Sequence, residues 1–150
     1  MLELAIKTKT KIILTHNSRN RNTNTQEDVG DIIKDICKFF DKHTKMAIEA
    51  GIDKDNIIID PGIGFGKTFD DNYRILNNVR TFKECGYPVL IGLSRKSMIG
   101  KLFNHDEDRL PATLALNCAA FFAGADIVRV HDVKAHRMAF KALIKMSDTQ

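Results

Sequence analysis

The stretch "NIIIDPGIGFGKTFDDN" at residues 56–72 contains a complete connection from a strand to a helix. A short run of isoleucines ends at Asp60, and this β-branched run predicts a strand buried on both faces, as in a parallel sheet. The turn after it contains Pro61 and three glycines. Thr68 and Asp71 then have the spacing of a pair that caps the start of a helix. The stretch therefore predicts one βα unit of a parallel α/β fold.

The end of this stretch, Gly66-Lys67-Thr68, also matches the last three residues of a nucleotide-binding P-loop. That motif requires a glycine five residues before Gly66, where this chain has Pro61. The register is wrong, so we do not predict an ATP or GTP site. The glycines still allow positive φ and close approach of a ligand to the backbone. Phe65, between two glycines, is either exposed for stacking on a flat ligand or packed inward in a tight turn.

Three further short apolar runs have the same character and are predicted to be strands. Segments with the spacing of amphipathic helices follow each strand, so strand and helix alternate along the chain. The intervals between strands leave room for right-handed crossover helices. An open doubly wound sheet and part of an eight-stranded barrel both fit this order. The predicted strands lie within 11–15, 56–60, 88–93 and 126–130, and the predicted helices within 26–50 (with a capping sequence at 25–28), 69–85, 109–123 and 133–146.

Polar side chains stand at the carboxyl end of every predicted strand. In parallel α/β folds these ends form a single face, so the side chains are expected to converge there. Several cations around one carboxylate suit an anionic substrate, such as a phosphate, that also offers N–H donors to the carboxylate. The residues are Thr15, His16 and Asn17 on the first strand, Asp60 on the second, Ser94, Arg95 and Lys96 on the third, and Arg129 and His131 on the fourth.

The composition is that of a single globular domain. The 150 residues are 43% hydrophobic and 28% charged, with a formal net charge of +4. We find no apolar run of the ~20 residues that a membrane span needs, and no signal-peptide pattern. A cytoplasmic location without membrane partners is therefore expected. The basic charge is compatible with an anionic substrate or with nucleic acid, but a lysine-rich surface is the favoured interpretation, and no basic stripe interleaved with aromatic residues is present.

The remaining cysteines and histidines carry no recognisable motif. The cysteines lack C-x-x-C spacing, and those in apolar helical patterns are predicted to be reduced core residues. The histidines outside the strand ends are predicted to lie on the surface. The run "HDED" at 105–108 is predicted to be a solvated turn that caps the next helix through Asp108, with no metal bound. These residues are Cys37, Cys85 and Cys118, with Cys37 and Cys118 predicted as core, and His43, His105 and His136.

Three separated motifs, "DPGIGFGKT", "GLSRKSMIG" and "RVHDV", resemble in this order the dihydropteroate synthase family. The upstream "ILTHN" is similar to the family's fifth-strand histidine motif, although Thr15 and Asn17 depart from it. The roles of His16, Asn17 and Lys67 therefore stay open. The resemblance covers residues 1–145. It implies a (β/α)8 TIM barrel, of which residues 1–150 would be one pterin-binding domain containing the fifth to eighth βα units. The N-terminal half of the barrel is then expected to be absent from this chain.

The resemblance implies a transferase of folate biosynthesis that joins 6-hydroxymethyl-7,8-dihydropterin pyrophosphate to p-aminobenzoate, and a target of sulfonamides. Little turnover is expected from this chain alone. On that basis Asp60 and Lys96 would bind the pterin, and Arg129 and His131 the pyrophosphate, as the catalytic group. Phe65, Ser94 and Arg95 would form the p-aminobenzoate pocket, beside Gly64 of the loop.

The resemblance also implies Mg²⁺ in the full enzyme, with its protein ligand outside this chain, and no metal ligand among these residues. The implied partners are the two substrates, together with a second copy bound through the C-terminal helices or a separate N-terminal half. Two alternatives stay open. One is a non-catalytic half-barrel that binds pterin or pyrophosphate and assembles with a partner. The other is a related barrel that binds methylated folate, which the SRK motif disfavours.

Overall fold

The computed structural model of the protein describes residues 2–18, 31–103 and 108–148. Each strand is followed by a helix as predicted, although β2 and β3 are each followed by two helices. A 3-10 turn at Lys54–Asn56 precedes the second strand. In chain order the elements are α1 (Leu2–Thr8), β1 (Ile12–Thr15), α2 (Ile32–Glu49), β2 (Ile57–Asp60), α3 (Phe69–Asn77), α4 (Val79–Lys83), β3 (Leu90–Ile91), α5 (Ser97–Gly100), α6 (Leu110–Phe122), β4 (Ile127–Val128) and α7 (Val133–Ser147).

The four strands are parallel and lie side by side in chain order. β1 pairs with β2 so that Ile13 lies opposite Ile58, and β3 pairs with β4. A parallel bridge between Ile59 and Val89 joins the two pairs. The prediction of four parallel strands connected by helices is confirmed. The register also aligns the carboxyl ends of the strands on one face.

The core lies between the sheet and the helices. Because side chains alternate along a strand, Ile57 and Ile59 of β2 share one face, and both are fully buried. Helix α2 supplies Phe40, whose ring meets that of Phe82 on α4 edge-on at 6.1 Å. Both rings belong to the same buried cluster as Ile57 and Ile59, and their burial stabilises the fold by roughly 1.5–3 kcal/mol each.

The opposite face of the sheet is less completely covered at β1. Ile58 on β2 is 7% exposed, whereas its neighbour Ile13 on β1 is 45% exposed. The prediction that every strand is buried on both faces is therefore wrong for β1, and also for β4, whose Ile127 and Val128 are only partly buried. The physical reason is their position, because among the described residues β1 and β4 each have a strand neighbour on one side only.

The helix predicted over 69–85 is two helices, α3 and α4. They meet at Asn78, which leaves the helical region with φ −118°, and its side chain donates to the carbonyl of Arg74 at 2.7 Å. α5 was not predicted, since four residues are too few for a periodic pattern. The helix predicted from 26 is observed as α2 from Ile32, with Asp31 as its cap. The capping sequence predicted at 25–28 lies outside the described residues.

The predicted cap of α3 is confirmed. The hydroxyl of Thr68 accepts a hydrogen bond from the Asp71 amide at 3.1 Å, and the Asp71 carboxylate accepts one from the Thr68 amide at 3.4 Å. We expect Thr68→Ala to lower the free energy of unfolding by about 1 kcal/mol, since it leaves a helix N–H unpaired. Urea denaturation measures this change. The control is Thr81→Ala, inside α4 and not at its cap, which should change stability by less than about 0.5 kcal/mol; equal losses in both variants would contradict the assignment.

Candidate active site

Asp60 is a buried carboxylate at the end of β2. It is 2% exposed. One of its oxygens accepts the Gly62 amide at 2.8 Å. The other faces the guanidinium of Arg129 at 3.4 Å. Burial raises the pKa of Asp60 above its ordinary value, against the opposing effects of the Gly62 amide, Arg129, Lys96 and Lys67. The site thus holds a desolvated carboxylate with cations close to it, which is an arrangement typical of binding sites.

The glycine loop packs tightly against the end of β1. Gly62, Gly64 and Gly66 all have positive φ, at 71°, 80° and 69°. A Cβ at Gly62 would overlap the carbonyl of His16, so no side chain fits there. The amide of His16 donates to the Asp60 carbonyl at 2.9 Å. The strand end that carries Asp60 is therefore fixed by backbone contacts with its neighbour.

Asn72 on α3 also fixes the loop, and sequence reasoning missed it. Its side-chain oxygen accepts the Gly64 amide at 2.7 Å, and its side-chain nitrogen donates to the Thr68 carbonyl at 2.6 Å. Asn72 is buried. Lys67 has a related role, since its ammonium donates to the carbonyls of His16 and Phe65 at 3.2 and 3.3 Å. Asn72 and Lys67 therefore fix the conformation of the glycine loop through hydrogen bonds to its backbone.

Phe65 and Lys96 lie together beside this loop. The Lys96 ammonium is 4.6 Å from the centroid of the Phe65 ring, within the range of a cation–π contact. The stem of Lys96 passes over Gly64, where an added Cβ would lie 3.2 Å from the lysine Cδ. Phe65 is partly exposed. An aromatic face and a cation are therefore presented next to the carboxylate of Asp60.

The ends of β3 and β4 are connected by two side-chain links. The hydroxyl of Ser94 accepts the His131 amide at 3.1 Å and lies 2.9 Å from the Nδ1 of the same histidine. Arg95, which has a positive φ of 55°, donates twice to Asp132, at 2.6 and 3.0 Å. The pKa of Asp132 is lowered by this guanidinium. Ser94 and Arg95 therefore hold His131 and its neighbour in place.

A cavity of about 170 Å³ opens between these strand ends. A side chain at Gly92 would crowd it, since an added Cβ would lie 3.1 Å from the Arg129 guanidinium. Three of its lining residues, Lys96, Arg129 and His131, are basic amino acids, which makes the cavity suitable for an anion. Its lining consists of Gly92, Ser94, Lys96, Arg129, Val130 and His131.

Comparison with known proteins shows the family to which the chain belongs. The sequence profile of the family described as pterin binding enzyme matches residues 1–131. The chain belongs to that family. Dihydropteroate synthase of Bacillus subtilis (strain 168) is 42% identical over 135 residues, which are 89% of this chain and 45% of that protein. The resemblance to dihydropteroate synthases is thereby confirmed. The chain spans about half the length of the curated relatives it matches.

Solved structures of dihydropteroate synthases show the same fold. The Xanthomonas albilineans enzyme in complex with 7,8-dihydropteroate superposes with a TM-score of 0.85 at 32% identity, over 97% of this chain and 54% of that one. The Yersinia pestis enzyme in a sulfonamide drug complex gives 0.87 at 32% identity, over 99% of this chain and 55% of that one. Among the described residues, no helix is long and apolar enough to cross a membrane.

The pterin-binding fold brings the predicted rim residues together at the strand ends. Arg129 pairs with Asp60, and Lys96 lies over Phe65 and beside Gly64. Arg129 and Lys96 line the same cavity. Ser94 contacts His131, and Arg95 pairs with Asp132. The ring of His16 faces away toward α2, where it meets Phe39 edge-on at 5.1 Å. Of the strand-end histidines, His131 is therefore the one that lines the cavity.

Two predictions about histidines outside the site need correction. His136 was predicted to lie on the surface but is 2% exposed. It sits between α6 and α7, bonded to Asn117 and to the Asp132 carbonyl, each at 2.8 Å. His43 is half-buried because its ring stacks on Phe39 at 4.0 Å. His105 lies outside the described residues. Asp108 accepts the Leu110 amide at 2.9 Å, as predicted for a helix start.

The cysteines are less buried than predicted. Cys37 and Cys118, predicted as core residues, are only partly buried, as is Cys85. All three are free thiols. Helical spacing places a residue on the apolar side but does not say how far that side is covered, which explains the difference.

The described residues also offer no cluster of three or more His, Cys, Asp or Glu side chains that could hold a metal ion. Asp60 is instead surrounded by the cations Arg129, Lys96 and Lys67. Such a neighbourhood disfavours a divalent cation. The residues around Asp60 therefore do not fit the Mg²⁺ that the resemblance implies for the full enzyme.

Proposed function

We propose that this chain is the C-terminal half of a dihydropteroate synthase barrel, comprising its fifth to eighth βα units. The reaction proposed for the whole enzyme joins 6-hydroxymethyl-7,8-dihydropterin pyrophosphate to p-aminobenzoate and releases pyrophosphate. The observation that carries the proposal is the buried carboxylate of Asp60, 3.4 Å from Arg129, which lines a cavity of about 170 Å³. One end of this site suits N–H donors, and the other suits a leaving pyrophosphate.

The pterin ring is assigned to Asp60 and Lys96. An ionised carboxylate accepts hydrogen bonds from ring N–H groups and binds them strongly when desolvated. Arg129, Lys96 and Lys67 favour that ionised form of Asp60. Bound pterin would supply further N–H donors to the carboxylate, and these would offset its burial. The fully enclosed position of Asp60 therefore serves recognition of the pterin.

The pyrophosphate is assigned to Arg129 and His131, which line the cavity together. As the bond between methylene carbon and oxygen breaks, negative charge moves to the pyrophosphate and positive charge to the pterin methylene. Arg129 stabilises the first and Asp60 the second, both in fixed positions before the reaction. The amine of p-aminobenzoate then attacks the methylene carbon and loses a proton. No side-chain nucleophile is needed.

The p-aminobenzoate is assigned to the surface made by Phe65, Ser94 and Arg95. Phe65 offers an aromatic face and Lys96 a cation over it. The Yersinia pestis relative crystallised with a sulfonamide drug covers nearly all of this chain, which supports a sulfonamide site on the same surface. Arg95 is already paired with Asp132, so its role here is to hold the loop that presents Ser94 and Lys96.

Assembly with further chain is part of this proposal. Ile13 on the edge strand β1 is exposed. Phe122 on α6 and Met138 on α7 are exposed as well. We propose that an N-terminal half of the barrel covers β1 and that a second copy packs on the C-terminal helices. A second candidate function, a non-catalytic half-barrel that binds pterin or pyrophosphate, is favoured by the same exposure of Ile13. Detectable binding by a chain that shows no turnover in any assembly would support it.

Arg129 provides the test of the anion site. We expect Arg129→Ala to weaken pyrophosphate binding by about 10- to 100-fold, since a hydrogen bond to a charged group contributes roughly 1.5–3 kcal/mol. Titration calorimetry with pyrophosphate measures the affinity. Arg129→Lys should recover part of it, because it keeps the charge but not the planar fork. Arg80→Ala, an exposed arginine on α4, is the control; equal losses in Arg80→Ala and Arg129→Ala would contradict a specific anion site.

A further inference from the structure

Two of the three cysteines come together in the helix layer, away from the candidate active site. Cys37 lies on α2 and Cys85 follows the end of α4, and each thiol affects the pKa of the other. The edge-on contact of Phe40 with Phe82, at 6.1 Å, independently places these two segments side by side. Each of these rings is three residues from its cysteine, which is about one turn of a helix.

Both thiols are reachable as well as adjacent. They are partly exposed, and both pack against the rim of the hydrophobic core. Thiols that affect each other across two neighbouring segments can approach the geometry of a disulfide by rotation about their Cα–Cβ bonds.

We propose that Cys37 and Cys85 are a site of reversible oxidative modification, at which a two-electron oxidant of the peroxide class joins them in an intramolecular disulfide. This site is independent of the function proposed for the strand ends. Cys118 on α6 is free as well, but it lies outside this pair.

The two thiols differ in how readily they ionise. Burial raises the pKa of Cys37, and the interaction with Cys85 opposes that rise. Burial, with Cys37 as a further cause, raises the pKa of Cys85 to about 11. Cys37 is therefore the thiol that ionises more readily and attacks the oxidant, because the thiolate is the nucleophile. Cys85 is the resolving thiol.

The steps balance without any further reagent. The Cys37 thiolate attacks one oxygen of hydrogen peroxide, the O–O bond breaks, and after proton uptake the products are a sulfenic acid and water. The Cys85 sulfur then attacks the Cys37 sulfur, the S–O bond breaks, and the hydroxyl leaves as a second water with the thiol proton. The two sulfurs lose two electrons in all, and peroxide gains them. A dithiol reductant reverses the product to two thiols.

The rate of oxidation should be limited by the small fraction of thiolate. Since both pKa values lie above their ordinary range, the reaction is slow near neutrality. We expect it to accelerate about tenfold per pH unit below the pKa of Cys37, because the thiolate fraction rises by that factor. The bridge joins α2 to the segment that leads into β3, and it restricts the unfolded chain. The oxidised protein is therefore expected to unfold at a higher temperature than the reduced one.

The experiment uses the full 150-residue chain and hydrogen peroxide. After oxidation, thiol titration under denaturing conditions is expected to fall from three thiols to one, and the intact mass to fall by two hydrogen atoms. Trypsin should release residues 35–38 joined to residues 84–95, and dithiothreitol should separate them. Cys118→Ser is the matched control, which should form the same bridge with no thiol left.

Two single variants distinguish the attacking thiol from the resolving thiol. Cys85→Ser should leave Cys37 as a sulfenic acid that a dimedone-type probe labels, whereas Cys37→Ser should react more slowly. The proposal is overturned if the wild-type monomer keeps all three thiols under conditions that oxidise free cysteine to cystine. It is also overturned if the cross-linked peptide contains Cys118, or if oxidation yields only disulfides between two chains.

Discussion

Asp60→Asn is expected to abolish pterin binding while leaving the protein folded. The amide removes the negative charge and turns one of the two oxygens into an N–H donor, which faces the N–H groups of the ring instead of accepting from them. Losing two charge-assisted hydrogen bonds at roughly 1.5–3 kcal/mol each weakens binding by at least ~100-fold. Titration of the chain with a dihydropterin, or of an assembled barrel if the chain alone binds too weakly, measures the effect.

The fold should tolerate this change because the buried, ionised carboxylate of Asp60 lowers the free energy of unfolding. The remaining amide oxygen still accepts the Gly62 amide. Burial raises the pKa of the native carboxyl, so the folded state holds its proton to higher pH than the unfolded chain. Stability from this group is therefore present below the ordinary aspartate value and is lost as the pH rises through the raised pKa of the folded state.

That linkage separates a lost site from a lost fold. We expect wild-type protein to lose stability relative to Asp60→Asn as the pH rises from about 4, the ordinary aspartate value, toward neutrality. Urea denaturation of both proteins across this range measures the difference. Asp55→Asn, an exposed carboxylate in the 3-10 turn, is the control and should show neither effect. Tight pterin binding by a folded Asp60→Asn protein would remove Asp60 from the proposed site.

The strand-end rule predicted most of this site from sequence. Asp60 and Arg129 are 69 positions apart, yet they meet because parallel strands present their carboxyl ends on one face. The same rule did not predict Asn72, because Asn72 lies on a helix and its side chain reaches back to the Gly64 amide. Gly92 was missed for a different reason: what matters there is the absence of a side chain, which leaves space for Arg129.

Prediction of the fold failed where periodicity and packing diverge. Ile75 and Val79 keep the apolar spacing of one helix across Asn78, so the break between α3 and α4 leaves no trace in the pattern. His136 reads as one polar residue on an amphipathic helix. Its burial depends on Asn117, on a different helix, and on how α6 packs against α7. Such partners become visible only when the helices are placed together.

The remaining prediction concerns assembly. Relatives of this chain are about twice its length, and a barrel needs roughly 250 residues to close. β1 exposes Ile13 on an edge that no described strand covers. We therefore expect the 150-residue chain alone to show turnover at least ~100-fold below that of the chain mixed with the N-terminal half of a dihydropteroate synthase, since small displacements of catalytic groups already cost about that factor.

Ile13 supplies the means to test whether that recovery comes from barrel closure. Ile13→Asp places a charge on the incompletely covered face of β1, which lies opposite the helix layer. It should leave the isolated chain folded and able to bind pyrophosphate, because Ile13 is 45% exposed already. In the mixture it should prevent recovery, since closure would bury an unpaired carboxylate. Lys11→Asp, on the exposed start of the same strand segment, is the matched control and should recover normally. Normal turnover by the unmixed chain, or full recovery with Ile13→Asp, would show that this edge does not need a second half.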